Sequence, residues 1–110
     1  MTVNDLMFWD LILLNSEPTE VTLSLLEELQ ELDNYEIVSP IELSLEFFKK
    51  NGFTKDGDYW RIPGLTGGFR LFQWGNGSWS IEDHVLIEVR FVHELQRLFK
   101  MIGLKIKLVV

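Results

Sequence analysis

The chain has no cysteine, which excludes disulfides, thiolate catalysis and cysteine-ligated zinc, and which agrees with a reducing compartment. It also lacks a long hydrophobic run. Leu6 to Leu14 is apolar but broken by Asp10, far short of the about 20 residues a membrane helix needs. No basic stretch precedes that run, and Asn15-Ser16-Glu17-Pro18 follows it instead of small residues, so it does not read as a signal peptide. The expectation is a soluble protein of the cytoplasm, without a membrane partner.

Most telling is the missing charge. Met1 to Phe48 contains no Lys, Arg or His against eleven carboxylates, whereas Lys49 to Val110 holds ten bases against six acids. The net charge of −7 therefore divides into about −11 and about +4. Such a balance disfavours non-specific attraction to nucleic acid or anionic membrane and favours a basic partner.

A length of 110 residues predicts one domain, residues 1–110, and 46% apolar content with eight Phe and four Trp is enough for a real core. Residues 6–14 read as a strand, with turn formers from Asn15 to Thr19 and Val21 closing a short hairpin. Thr22 is placed to cap a helix from Leu23 to Leu32, with Leu25, Leu26, Leu29 and Leu32 on one face and Asp33-Asn34 ending it. Ser39-Pro40 keeps residues 37–43 extended. Ser44 caps a helix from about Leu45 to Asn51, Gly52 stops it, and Phe47, Phe48 and Phe53 anchor it.

Strands follow at Tyr59–Ile62, Phe69–Trp74, Ser78–Ile81 and Val85–Val89, with a tight turn at Gly75-Asn76-Gly77 and a longer loop marked by Pro63, Gly64, Gly67 and Gly68. The helix from about Arg90 to Ile102 repeats Val92, Leu95, Leu98, Phe99 and Ile102, and Gly103 ends it. Leu104 to Val110 alternates like a half-exposed edge strand guarded by lysines. The fold class is α+β: a small antiparallel sheet with two or three helices packed mainly on one face.

Phe91-Val92-His93-Glu94-Leu95-Gln96-Arg97-Leu98-Phe99 resembles the closing segment of a group of small Bacteroidetes phage and prophage proteins. That segment has the type Tyr-Val-His-Gln-Leu-Gln-Asn-Leu-Tyr, with a Gly and a strand after it. Pro40-Ile41-Glu42-Leu43-Ser44 and Asn51-Gly52-Phe53 are similar to the group's Pro-Ile-x-Leu-Thr helix and its Gly-Phe. Glu94 stands where Gln is usual, and Arg97 where Asn is usual. The resemblance implies an origin in mobile elements and, for a phage-borne protein of this size, action on host defence, as in anti-CRISPR proteins.

Catalytic chemistry has no foothold. His84 and His93 lack the spacing of a metal site, so no metal and no cofactor is expected. Asp56-Gly57-Asp58 lacks the other ligands of a calcium loop, and Gly64 to Gly68 lacks the Lys-Ser/Thr of a phosphate cradle. Asn76-Gly77-Ser78 matches a glycosylation sequon but reads as a turn. No Ser or Thr has a nucleophile's context, and the protein is expected not to be an enzyme.

The leading expectation is a non-enzymatic inhibitor whose Glu17, Glu20, Glu27, Glu28, Glu31, Asp33 and Glu36 contact a basic host protein, a CRISPR effector nuclease. The competing reading is that Lys49, Arg90 or Arg97 neutralises those acids internally. The alternative function is a small RNA- or DNA-binding accessory protein, with His93, Arg97 and Lys100 on a polar stripe of the last helix as nucleic-acid or second-partner contacts. That stripe also reads as a plain solvated face. Arg61, Arg70, Trp60, Phe72, Trp74 and Trp79 mix cations with aromatics as single-strand binders do. Most of those aromatics are expected in the core.

Overall fold

A turn of two left-handed residues, Asn15 (φ 49°) and Ser16 (φ 68°), opens the first regular structure. Asn tolerates that conformation, and such a pair matches the right-handed twist of the strands it joins. A computed structural model of the protein describes residues 6–7, 10–32, 38–64, 70–82 and 84–110. It forms two compact units: Met1–Glu42 with Phe91–Ile106 and Val110, and Leu43–Arg90 with Lys107–Val109. Among the described residues there are three helices and eight strands in two antiparallel sheets, a strand-rich α+β arrangement. The single sheet expected from the sequence is thus two.

In the first unit, β1 (Leu11–Leu14) lies between β2 (Glu17–Glu20) and β3 (Val38–Ser39). A central strand needs no polar residue, and Ile12 is fully buried. Helix α1 (Leu23–Leu32) starts where Thr22 Oγ1 accepts the Leu25 N–H at 3.2 Å. Its Leu25, Leu26 and Leu29 pack with Leu6, Ile12, Val21 and Val38. The helix end expected at Asp33-Asn34 lies outside the described residues. Helix α3 (Val92–Met101) buries Val92, Leu95, Leu98 and Phe99 at the spacing of one helical face. Gly103 (φ 82°) closes it, with Leu104 N–H on Phe99 O and Gly103 N–H on Lys100 O. That pair of bonds is a Schellman motif.

The second unit repeats the device. Helix α2 (Leu45–Lys50) is capped by Ser44, whose Oγ accepts the Phe47 N–H at 3.1 Å. Gly52 (φ 78°) ends it, with Phe53 N–H on Phe48 O and Gly52 N–H on Lys49 O. The apolar contact that accompanies such an ending is Phe48 stacked on Phe53, ring centroids 5.3 Å apart. Phe48 also meets Trp60 and Trp79, at 5.6 and 4.8 Å.

Behind these rings runs a five-stranded meander: β4 (Thr54–Asp56), β5 (Tyr59–Arg61), β6 (Arg70–Gln73), β7 (Trp79–Ile81) and β8 (His84–Val89). Its core face carries Trp60, Leu71, Trp79 and Ile81. The sequence does not predict β4, since Thr-Lys-Asp has no alternating apolar pattern. Its pairing across the Gly57-Asp58 turn holds it instead.

The expected last strand is corrected. Residues 104–110 keep alternating exposure but form no strand; Asn51 takes a ladder's place, donating from Nδ2 to Val109 O (2.9 Å) and accepting the Val109 N–H at Oδ1 (2.8 Å).

Replacing Gly52 by Ala puts a side chain into a left-handed conformation with no clash to compound it, since the nearest atoms to an added Cβ are those of Pro63 at 3.9 Å. The cost is about 1 kcal/mol in urea unfolding. No loss of stability would show that Gly52 is not the helix stop.

Candidate interaction surfaces

The carboxylates of the opening segment divide into two kinds. Asp10 is fully buried, and Arg97 reaches it with Nη2 at 2.6 Å from Oδ2 and Nε at 3.4 Å from Oδ1. The Met7 N–H adds a bond to Oδ2 at 2.9 Å. A carboxylate without water needs such partners to remain charged. Arg97 thus pairs with Asp10, which is not one of the acids Glu17 to Glu36 that it was expected to neutralise in the competing reading.

Glu17 and Glu20 on β2 and Glu27 and Glu28 on α1 are exposed, and none of the four is ion-paired among the described residues. Glu31 lies in the last turn of α1, and its side chain is outside the description, as are Asp33 and Glu36 altogether. Helix α1 has no base in its last turn and no acid in its first. Acids crowded at i, i+3 and i+4 towards a helix C-terminus oppose both one another and the helix dipole, by some tenths of a kcal/mol each. Helix stability does not account for them. For Glu17 and Glu20 a structural role is at hand: with Pro18 they guard β2, an edge strand, against pairing with other chains.

The polar stripe expected on α3 is corrected residue by residue. His93 is buried (7% exposed) and stacks on Phe91 at 5.9 Å, because its position shares the apolar side of the helix start. Arg97 is turned to Asp10, and Lys100 alone of the three is exposed. Gln96 Oε1 accepts the Leu11 N–H at 2.8 Å, and Glu94 Oε1 accepts the Phe91 N–H at 3.1 Å. Each polar side chain of Glu94-Leu95-Gln96-Arg97 thus has a bond that holds the unit together. In these contacts the start of α3 is a packing device.

The aromatics of the sheet are also corrected. Trp60 and Trp79 are in the core, but Arg70, Phe72 and Trp74 lie on the opposite, open face. Leu71 fills the core position of β6, and a strand's period of two sends its neighbours outward. Register places Tyr59, Phe72 and Ser80 side by side on that face. There Arg70 binds Glu82 twice (2.7 and 2.8 Å) and Asp56 at 3.0 Å, while Arg61 reaches Asp56 at 2.9 Å. The Arg70 guanidinium also lies 4.2 Å from the Tyr59 ring centre. These bonds with Arg70 hold the carboxyls of Asp56 and Glu82 below their usual range, against the opposing effect of partial burial. Bonds from Ser78 and Asn76 do the same for Glu88. Two cations against two acids leave the Arg70 lattice neutral.

Among the described residues no group of three or more His, Asp or Glu is arranged to hold a metal ion, and no helix is long and apolar enough to cross a membrane. No family model matches the chain, and neither the curated proteins nor the solved structures compared with it provide a match.

The Arg70 lattice sets a pH dependence. Both carboxyls are lowered from ordinary values of 3.8 and 4.5, so their contribution is complete above about pH 5 and is lost as pH falls through the lowered values. The melting-temperature gap between the protein and Arg70→Met is expected to be widest above that pH and to narrow as pH falls through the lowered values. A gap that does not change with pH would contradict the lattice.

Proposed function

We propose that this protein is a non-enzymatic binding protein that docks exposed carboxylates of β2 and α1 onto a basic surface of another protein. The carrying observation is that Glu17, Glu20, Glu27 and Glu28 stay open to water with no cation paired to them among the described residues, Glu27 and Glu28 at a cost to α1 that folding does not require. Oppositely charged surfaces accelerate encounter and select partners, and the effect weakens with salt.

Basic surfaces that attract such a cluster are typically those built to bind nucleic acid, where the carboxylates take the place of phosphates. Together with the resemblance to small phage-borne proteins, this makes a host nucleic-acid-guided defence nuclease the preferred partner and occlusion of its nucleic-acid channel the mechanism, as an anti-CRISPR protein would act. Direct binding of RNA or DNA by this chain has less support. Arg97 is committed to Asp10 and Arg70 to Asp56 and Glu82, which leaves fewer cations for phosphate than the sequence suggests.

The test is affinity capture from a host lysate at rising salt, with Glu27→Lys/Glu28→Lys as the comparison. A basic nucleic-acid-binding protein should be captured at low salt, released as salt rises, and bound about tenfold more weakly or worse by the variant. The variant should be no less stable than the parent, since it relieves like-charge repulsion on α1. Capture that ignores both salt and charge reversal would refute the proposal.

A further inference from the structure

A sheet edge exposes a row of backbone N–H and C=O groups, and folded proteins guard such edges against further pairing. Among the described residues four strands lie at edges: β2 and β3 of the first sheet, β4 and β8 of the second. Pro18 guards β2 together with Glu17 and Glu20. Strand β3 has two residues and runs into Pro40. Strand β4 has three, with Lys55 exposed at its centre. Only β8 is left unguarded: it is six residues long and contains neither Pro nor Lys.

Its outer side is open for a local reason. The Trp74 N–H on Ser78 O at 2.8 Å turns Ser78 towards β6, so Trp79 and its partner Val89 face each other and Arg90 faces away from β7. On that outer side the Arg90 carbonyl accepts the Leu43 N–H at 2.9 Å. The covering segment goes no further, because Ser44 caps α2 and the chain turns off. Glu88 and the residues before it are left without a strand beside them. A bulge lies where the register shifts between Trp79 and Ile81, and Val85 and Leu86 of β8 stand 46% and 95% exposed. The Glu88 carboxylate does not guard them, since it is drawn back to Ser78 Oγ (2.7 Å) and Asn76 Nδ2 (3.4 Å).

The chemistry of the edge and the charge around it identify what covers it. Backbone groups in a row are matched by another extended strand. The second unit carries six acids against seven bases, so its own charge does not oppose a second copy, whereas the strong negative charge belongs to the first unit. Pairing β8 with β8 about a two-fold axis sets Val85-Leu86 of one copy beside Val85-Leu86 of the other and uses up both open edges. The joined sheet then ends on a guarded β4 at each side, so assembly closes at two.

We propose that β8 is a dimerisation edge, which pairs antiparallel with β8 of a second copy of this chain around Leu86. The site is independent of the β2–α1 carboxylates.

The test is light scattering on a size-exclusion column across a dilution series, with amide hydrogen exchange on the same samples. The mass should rise from monomer to dimer with concentration and stop there, and the Glu88 amide should gain protection over the same range. Leu86→Lys should weaken dimerisation about tenfold or more, while dilute variant and dilute parent melt alike because the side chain is exposed. Leu86→Met, which keeps the apolar contact, should dimerise as the parent does. Glu27→Lys/Glu28→Lys should also dimerise normally, and Leu86→Lys should still capture the basic partner, so that failure of either proposal can be read separately. A monomer at every concentration, a dimer indifferent to Leu86→Lys, protection gained only on other strands, or growth past two copies would overturn the proposal.

Discussion

The buried pair of Asp10 and Arg97 is the constraint on which the first unit turns. A carboxylate with no exposure is tolerable only while its guanidinium partner stays close, because one charge left alone there costs several kcal/mol. The pair joins residues far apart in sequence and brings the middle of α3 to the start of β1. Gln96, next to Arg97, takes the Leu11 N–H, and the Asp10 carbonyl accepts the Val21 N–H at the far end of the hairpin. One helical turn thereby sets where β1 begins, and β1 is the strand that both β2 and β3 pair with.

That arrangement gives the lopsided charge of the sequence a physical sense. The one described acid of the opening segment that is fully buried is neutralised by a base from the other end of the chain, while Glu17, Glu20, Glu27 and Glu28 are left to solvent. In the second unit the opposite economy holds: Arg61, Arg70, Asp56 and Glu82 cancel on one sheet face and leave aromatic rings as its distinguishing feature. The two surfaces differ in kind, one of exposed carboxylates and the other of aromatic rings around a neutral ion-pair lattice.

How much of this was legible in the sequence depended on the range of the interaction. The start of α1 after Thr22, the Ser44 cap, and the glycine stops at Gly52 and Gly103 follow from local chemistry and stand as expected. Contacts distant in sequence did not show. Nothing near Arg97 marks it as the partner of Asp10; the acid that interrupts the apolar run Leu6 to Leu14 is the hint the sequence offers. The open position of Phe72 and Trp74 is not legible in the sequence, because alternation identifies two faces of a strand without saying which one is the core. Leu71 and its neighbour Ile81, not the larger rings, fill that side. The closing segment has a strand's alternation, but Asn51 does the pairing through its side chain, which no periodicity reveals.

A double-mutant cycle on Asp10 and Arg97, using Asp10→Leu, Arg97→Leu and both together in urea unfolding, tests the central constraint most directly. Each single change should destabilise by several kcal/mol, about 3 for loss of the arginine, and the double variant should recover much of that loss. A coupling near zero, with the two losses simply adding, would mean that the pair does not organise the unit.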